Sequence, residues 1–237
     1  SQDEVEKALE HNILEFSEGE TKEDRGEKLI LNGMARDYFQ RENLAKGLVD
    51  AAENDLILVS DLDEIPNLEG LNVSTIKNNI LIFEQKIFYY KLNLIYDEFT
   101  WQGTKGTKYK NLLSPQWLRN IKGKNYPKWR LDTFFSKKKY SNLIFIKNGG
   151  WHFTCLKTPE QLEKKLLNFA HHYEFEESGL KLDDIKKLIN EKRIIYDYKA
   201  DQKKYKWSGR SILKKVSNDL LPAYVSSNLS YYSEWLD

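Results

Sequence analysis

Residues 56–67, LILVSDLDEIPN, place four apolar residues directly before a cluster of acidic ones. The run Leu56–Val59 is short, rich in branched side chains and bounded by turn-forming residues, which predicts a buried β-strand. Apolar residues recur at roughly helical spacing through residues 34–53, so we predict a helix before this strand. A helix that leads into a buried strand is half of a parallel α/β unit, and the sequence therefore predicts an α/β fold.

The acidic residues Asp61, Asp63 and Glu64 follow the predicted strand at its carboxyl end, where open α/β sheets bind their ligands. Alternation along an extended chain would place Asp61 and Asp63 on the same side, so both are candidate ligands of one cation. Mg²⁺ commonly combines one or two carboxylates with substrate phosphates, and Mn²⁺ also prefers oxygen ligands. Such an ion neutralises the charge that develops on a diphosphate leaving group. A solvated acidic turn is the alternative.

A second chemistry uses the same local pattern. In haloacid-dehalogenase-like phosphatases an apolar strand ends in Asp-x-Asp, and the first aspartate is the nucleophile. Those proteins usually carry Thr or Val after the second aspartate and place the motif near the start of the chain. Here residues 64–66, Glu-Ile-Pro, follow the motif and 60 residues precede it. A phosphatase that uses Asp61 and Asp63 is therefore kept as an alternative.

Other elements follow from spacing and from terminal signals. Residues 80–95 are predicted to form two strands or one long bent strand, and residues 143–147 form another. The stretch from residue 100 to residue 140 is predicted to be mostly loop. Thr158 is the predicted N-cap of a helix that runs to His172, with Pro159 in its first turn. Its predicted buried residues are Leu162, Leu166, Phe169 and Ala170, and a second helix is predicted at residues 181–193.

Two further clusters are candidates for binding. His152 follows a Gly-Gly-Trp turn after a predicted strand, from where a side chain can face a cleft. An imidazole there can complete a metal site begun by Asp63 or contact a phosphate, although a hydrogen-bonded structural histidine is the more common case. Residues 101–105, WQGTK, set an aromatic ring and a glycine beside a lysine. This combination suits a sugar or a diphosphate and equally a surface hairpin.

The composition limits which partners the protein can bind and which cellular compartment it occupies. The 37 Lys and Arg nearly cancel the 36 Asp and Glu, so no global field attracts the protein to nucleic acid or anionic lipid. We expect no nucleic-acid partner, and any polyanion must be held by a local patch. The single cysteine, Cys155, excludes an internal disulfide and favours a reducing compartment. No apolar run approaches the ~20 residues that span a bilayer, and the first residues lack a signal pattern. We expect a cytoplasmic protein, with the Golgi lumen as the alternative if an anchor precedes this chain.

The length of 237 residues suits one domain. Within it we expect residues 34–150 to form a core that binds the donor and the metal. Residues 151–237 are expected to form a helical C-terminal part that completes the site.

In chain order, several blocks of the sequence together resemble glycosyltransferase family seventeen. They are Arg41, LILVSDLDEIPN (56–67), IFEQKIFYYKLNL (82–94), WQGTKGTKYKNL (101–112), Leu118-Arg119, NGGWHFTCL (148–156) and KKLLNFAHHYE (164–174). The family includes the β-1,4-mannosyl-glycoprotein β-1,4-N-acetylglucosaminyltransferase that adds the bisecting sugar to N-glycans. The resemblance covers residues 34–200, and the composition, rich in Lys, Asn and Ile, is more similar to bacterial and viral members.

This resemblance implies an inverting glycosyltransferase with a GT-A-like nucleotide-sugar-binding fold, whose mostly parallel central sheet is flanked by helices. It also implies a UDP-sugar donor (UDP-N-acetylglucosamine in the animal member), a glycan acceptor and Mn²⁺ or Mg²⁺. Family members usually begin with a strand and a further sequence block before the helix that carries Arg41, and neither has a match here. Residues 11–17 are the candidate for a strand in this region. The fold is therefore expected to be shortened at its N-terminus, and an inactive glycan-binding module is a further alternative.

The resemblance also implies roles for individual residues. Asp63 would be the direct metal ligand, with Asp61 nearer the ribose or the sugar. The full implied metal set is Asp63, Asp61 and His152. The implied donor contacts are Arg41, Asp61, Trp101, Gly103, Lys105 and Trp151. An inverting transfer needs a base to take the proton of the acceptor hydroxyl, and the candidates are Glu64, Asp97 and Asp132.

Overall fold

The structure is a computed structural model and describes residues 14–15, 17–77, 79–127, 129–133, 135–168, 172–200, 206–207 and 209–237. Most of the strand considered at residues 11–17 lies outside these ranges. The same is true of Phe169 and Ala170, which were predicted to be buried on a helix.

The described residues form a mixed α/β structure. Its helices are α1 (Lys22–Asn43), α2 (Pro115–Asn120), α3 (Pro159–Leu166), α4 (His172–Ser178), α5 (Leu182–Asn190) and α6 (Ala223–Ser226). Its strands are β1 (Leu56–Val59), β2 (Glu64–Pro66), β3 (Ile80–Tyr89), β4 (Leu94–Lys108), β5 (Leu143–Ile146), β6 (Gly150–Thr154) and β7 (Lys214–Lys215). The α/β class and the strands predicted at residues 56–59 and 143–147 are confirmed.

The seven strands form one sheet in the order β1-β4-β3-β6-β2, with β5 paired to β3 and β7 paired to β4. Only the pairs β3–β5 and β3–β6 are parallel, and the other described pairs are antiparallel. The prediction of a mostly parallel sheet is therefore wrong. The physical reason is the short connection of residues 90–93, which allows β3 and β4 to pair only in the antiparallel sense. Strand β1 then pairs with β4, so α1 and β1 are not half of a parallel unit.

The region predicted to be mostly loop begins inside the sheet. Residues 101–108 are the second half of β4, which lies between β1 and β3, and Lys105 is opposite Val59 on one side and Ile82 on the other. Glycine, lysine and threonine alternate in this stretch, and they have little of the apolar pattern by which a buried strand is predicted. Pairing on both sides offsets their modest intrinsic preference for a strand.

Helices α1, α2 and α3 begin at residues whose side chains cap them, Thr21, Ser114 and Thr158. Thr158 and Gln161 form a capping box at the start of α3, and Leu162 is buried, as predicted. The helix ends at Leu166 and α4 begins separately at His172, so one helix running through to His172 is wrong. Helix α1 begins earlier than predicted, after a capping box at Thr21, and the helical face predicted within residues 34–53 is largely exposed.

The two faces of the sheet are covered by different parts of the chain. On one face, Ile87 and Tyr89 of β3 pack against residues of α3, α4 and α5. On the other face, Phe88 and Phe153 pack against the C-terminal segment from Leu221 onward. Because successive side chains of a strand point to opposite faces, Trp151 and His152 of β6 are separated by the sheet. Among the described residues, no helix is both long and apolar enough to cross a membrane.

Candidate active site

The acidic segment after β1 forms a tight turn that leads directly into β2. The amide of Glu64 donates a hydrogen bond of 3.0 Å to the carbonyl of Asp61, which closes the turn. Strand β2 then pairs with β6 so that Glu64 is opposite His152. The alternation expected of an extended chain does not apply within this turn. As a result, the carboxylates of Asp61 and Asp63 have different partners.

Glu64 is the buried centre of a charged cluster. Its side chain has no exposed surface, and it accepts hydrogen bonds from both terminal nitrogens of Arg119, at 2.8 and 2.9 Å. The indole of Trp101 donates a third bond of 2.8 Å, and the amide of Asp61 donates a fourth of 3.0 Å. A general base must reach the proton that it removes. Buried and saturated in this way, Glu64 has the geometry of a residue that positions Arg119 and the turn.

Asp61 joins two helices to this turn. Its carboxylate accepts hydrogen bonds from Arg41 of α1, with Nε at 3.2 Å and Nη2 at 3.1 Å, and from Nη2 of Arg119 at 2.7 Å. Burial acts to lower the pKa of Arg119, but Glu64 and Asp61 outweigh this effect and raise that pKa above its usual value. Arg119 therefore stays charged and holds both acids.

Asp63 is the carboxylate that the turn leaves accessible. Its side chain is 40% exposed, and its Oδ2 lies 3.4 Å from Nε2 of the buried His152. Burial acts to raise the pKa of Asp63, but the hydrogen bond and charge of His152, with the charge of Lys165, outweigh it and lower that pKa. Asp63 is therefore ionised at neutral pH, as a metal ligand must be.

His152 is held by stacking, and its Nε2 contacts Asp63. Its ring lies parallel to the indole of Trp101, with centroids 4.5 Å apart and 20° between the planes. Its Nδ1 is buried without a hydrogen-bond partner among the described residues. Its Nε2 is the ring nitrogen that faces the carboxylate of Asp63. This contact makes His152 a residue that orients Asp63.

Lys105 and Gly103 pack within this cluster. The ammonium of Lys105 donates hydrogen bonds of 2.6 Å to the carbonyls of Arg119 and Ile121, at the end of α2. Burial and the charge of Arg119 lower the pKa of Lys105 to about 8. At Gly103 an added Cβ would lie 1.8 Å from Oε1 of Gln85, so a side chain has no room there. Neither residue presents a free group to a diphosphate.

Three other predicted site residues lie apart from the cluster. Asp97 is on β4 and pairs with Lys214 at 2.6 Å. Asp132 lies in the loop after α2, where it pairs with an arginine and a lysine of the same loop. Trp151 lies on the opposite face of the sheet from His152, and its indole donates a hydrogen bond of 2.7 Å to the carbonyl of Leu220. It lines a cavity of about 800 Å³ there.

A second cavity, of about 750 Å³, separates α1 from the end of α3 and the start of α4. Gly33 and Asp37 line it, and Arg41 follows at the same spacing of four residues, so all three share one face of α1. This face leads to Asp61. The cleft along it is lined by Leu29, Gly33, Arg36, Asp37, Leu167, Asn168 and His172.

Sequence reasoning assigned no role to Arg119, although the residue stands in one of the resembling blocks. Its place opposite an acidic turn that lies 55 residues away depends on the path of β4, which the sequence pattern did not reveal. The signal that could have found it is charge pairing, because three acids within four residues need nearby cations if any of them is buried.

Within the described ranges, no group of three or more His, Cys, Asp or Glu side chains converges as a metal site. Mg²⁺ sites commonly have only one or two protein carboxylates, with waters and substrate phosphates as the other ligands. Asp63 fits such a partial set, since it is ionised, oriented and accessible. Asp61 is engaged by two arginines.

No protein-family model, no curated protein and no solved structure matches this chain.

Proposed function

We propose that this protein is an inverting glycosyltransferase that moves a sugar from a UDP-sugar to a glycan hydroxyl. By the resemblance to glycosyltransferase family seventeen, that sugar is N-acetylglucosamine. We propose that the end of β1 binds the donor and a divalent metal, as the corresponding strand end does in GT-A-like folds. The protein would be a bacterial or viral enzyme of the cytoplasm. The observation that carries it is the accessible carboxylate of Asp63, which His152 orients at the carboxyl end of β1.

The surroundings of Asp63 support a donor that carries a diphosphate. Mn²⁺ or Mg²⁺ on Asp63 would neutralise the charge that grows on the leaving diphosphate. Arg41 and Arg36 lie on the α1 side of the cleft that leads to Asp61, and basic side chains there are suited to phosphate oxygens. Asp61, held by Arg41 and Arg119, would accept hydrogen bonds from the hydroxyls of a ribose or a sugar.

Two alternatives are weaker on geometric grounds. A phosphatase of the haloacid-dehalogenase type needs Asp61 as a free nucleophile, whereas two arginines bind both of its oxygens. A glycan-binding module without activity finds some support in the cavity beside Trp151, because an aromatic ring with polar neighbours suits a sugar face. Such a module does not require an ionised, oriented Asp63.

The deciding experiment measures nucleotide release without an acceptor. Purified protein with Mn²⁺ is given a panel of UDP- and GDP-sugars, and the released nucleoside diphosphate is quantified. We expect slow release from one UDP-sugar, abolished by EDTA and reduced at least ~100-fold by Asp63→Asn, a loss typical of removing a group that stabilises transition-state charge. His152→Gln should weaken the affinity for Mn²⁺, measured from the Mn²⁺ concentration that gives half-maximal release, about 10- to 100-fold, as changes to the partners of metal ligands do.

The matched control is Asp50→Asn, which removes an exposed aspartate outside the turn and should change nothing. Thermal unfolding with UDP and Mn²⁺ gives an independent measure of binding, since a ligand of the folded state raises the melting temperature. If no sugar nucleotide releases its diphosphate and UDP with Mn²⁺ leaves the melting temperature unchanged, the proposal is overturned.

A further inference from the structure

Residues 122–139, here called the basic loop, connect α2 to β5 and concentrate positive charge. The loop has seven Lys and Arg residues and one acidic residue, Asp132, in a chain whose net charge is only +1. Charge is therefore segregated, and the remainder of the molecule is net negative. The ammonium groups of Lys122, Lys124, Lys137 and Lys138 have no ion-pair partner among the described residues.

The same loop exposes large apolar side chains. Trp129 is 79% exposed, Leu131 is 74% exposed and Phe135 is 91% exposed. Scattered single apolar residues are normal on a surface, but three large ones within seven positions, surrounded by lysines, mark an interaction site.

Internal contacts give the basic loop a defined shape. Asp132 pairs with Arg130 and with Lys139, each at 2.7 Å, and both cations lie over the ring of the buried Tyr126. The amide of Lys122 donates a hydrogen bond of 2.8 Å to the carbonyl of Lys138, which joins the two ends of the loop. The ion pairs and the ring of Tyr126 thus brace the loop, while Trp129, Leu131 and Phe135 face outward.

We propose that the basic loop docks the protein on an anionic lipid surface, with Trp129, Leu131 and Phe135 inserted among the headgroups and the lysines held by lipid phosphates. Surface-bound proteins combine this pair of features, apolar insertion and a basic rim. Aromatic residues also stack on nucleic-acid bases, but an aliphatic side chain such as Leu131 gains nothing from stacking. The proposal does not depend on the glycosyltransferase function.

The orientation of a docked molecule follows from the attachment of the loop. The loop begins two residues after the end of α2, the helix that supplies Arg119. The side-chain amide of Gln102 donates a hydrogen bond of 3.0 Å to the carbonyl of Gly123, and Gln102 adjoins Trp101. Docking would therefore bring the charged cluster near the lipid surface.

Vesicle flotation tests the proposal on the full chain. Vesicles of phosphatidylcholine with about a third phosphatidylglycerol should bind the protein, and vesicles of phosphatidylcholine alone should not. Raising the salt from about 0.1 M to about 0.5 M should release most of it, because screening shortens the reach of the charges. Lys122→Glu, Lys124→Glu and Lys137→Glu combined should weaken binding at least about 100-fold, since each charge near the surface contributes roughly fivefold.

Combined Trp129→Ser, Leu131→Ser and Phe135→Ser should weaken binding about 10-fold or more, since the inserted apolar surface is lost. One control is Lys46→Glu, Lys157→Glu and Lys187→Glu, which changes the net charge equally at exposed sites elsewhere. The other is Phe39→Ser with Val49→Ser, which removes exposed apolar residues outside the loop. Both controls should bind as the wild type does.

All variants change exposed residues, and circular dichroism melts establish that each is folded. Equal loss in the loop variants and in the controls would overturn the proposal, as would binding that ignores lipid charge. A labelled random RNA duplex serves as a competitor. If the wild type binds the duplex and not the vesicles, the loop is a nucleic-acid surface and the lipid proposal is wrong.

Discussion

Two arginine–carboxylate pairs of nearly equal length occupy opposite environments in this molecule. Arg119 and Glu64 are 2.8 Å apart, with 10% and 0% of their side chains exposed. Arg130 and Asp132 are 2.7 Å apart, with 39% and 41% exposed. The first pair lies under the turn that presents Asp63, and the second shapes the basic loop. Distance alone therefore does not rank these pairs, whereas burial does.

The physical difference lies in what remains when one partner is removed. A carboxylate left in water is solvated at once, so an exposed pair contributes little to stability. A carboxylate left in the interior has no substitute for its cation, so breaking a buried pair is costly. We infer that the cluster at Glu64 is a rigid support for the candidate active site, whereas the loop at Asp132 is a surface feature.

The largest effect is expected for Arg119→Met. Glu64 would be left buried without its cation, and the free energy of unfolding should fall by about 3–5 kcal/mol. Urea unfolding followed by circular dichroism measures this change. Arg130→Met is the matched control, because it breaks the exposed pair, and its unfolding midpoint should not change resolvably. Equal effects in the two variants would show that burial does not distinguish the pairs.

A double variant sharpens the same point. Arg119→Met leaves the buried carboxylate of Glu64 without its cation, and Glu64→Gln removes that charge. The combined variant should therefore lose less stability than Arg119→Met alone. If the two losses simply add, the destabilisation comes from lost packing rather than from an uncompensated charge.

The next effect concerns pH and Lys105. Its folded-state pKa of about 8 lies below the ordinary value of 10.5, so the unfolded chain binds more protons between these two values. Stability at this site therefore rises as the pH increases from about 8 toward 10.5. Relative to that of Lys105→Met, the free energy of unfolding of the wild type should rise by up to roughly 2–3 kcal/mol between pH 8 and pH 10.5. Paired urea titrations at pH 7.5 and pH 9.5 measure the gain, and a constant difference would contradict it.

A smaller effect is expected where Arg41 of α1 pairs with Asp61. Both side chains are partly exposed, 26% and 34%, and Arg119 still holds Asp61 after the change. Arg41→Met should therefore lower the free energy of unfolding by about 1 kcal/mol or less. Amide hydrogen exchange should quicken in α1 more than in β3, because this pair ties the helix to the turn. Faster exchange throughout the sheet would mean that Arg41 supports the core itself.

Sequence reasoning was most successful where local signals decide the structure. The strand at residues 56–59, the N-cap at Thr158 and the strand predicted at residues 143–147 all follow from short patterns and are confirmed. The long strand β4 was missed in its second half, because its buried residues are glycine, threonine and lysine stabilised by neighbours on both sides. Local patterns do not report such partners, since the partners are distant in sequence.

The candidate site divides in the same way. The sequence identified the acids after β1, yet it could not distinguish which carboxylate is buried, which is paired and which is accessible. Those differences depend on Arg119, Trp101 and His152, which reach the turn from α2, β4 and β6. Three-dimensional contacts from distant segments decide which acid can act, and a linear motif cannot encode them.

The smallest effect on stability is expected for Asp132→Asn, and it tests the exposed side of the comparison. Hydrogen bonds from Arg130 and then Lys139 lower the pKa of Asp132 to about 2, so its carboxylate is charged at every practical pH. Removing that charge frees two cations and makes the basic loop more positive, while the unfolding midpoint should stay unchanged. Binding to phosphatidylglycerol vesicles should tighten about fivefold, the usual effect of one added charge near an anionic surface. Weaker binding would instead show that Asp132 arranges the loop for docking, and the exposed pair would then be as structural as the buried one.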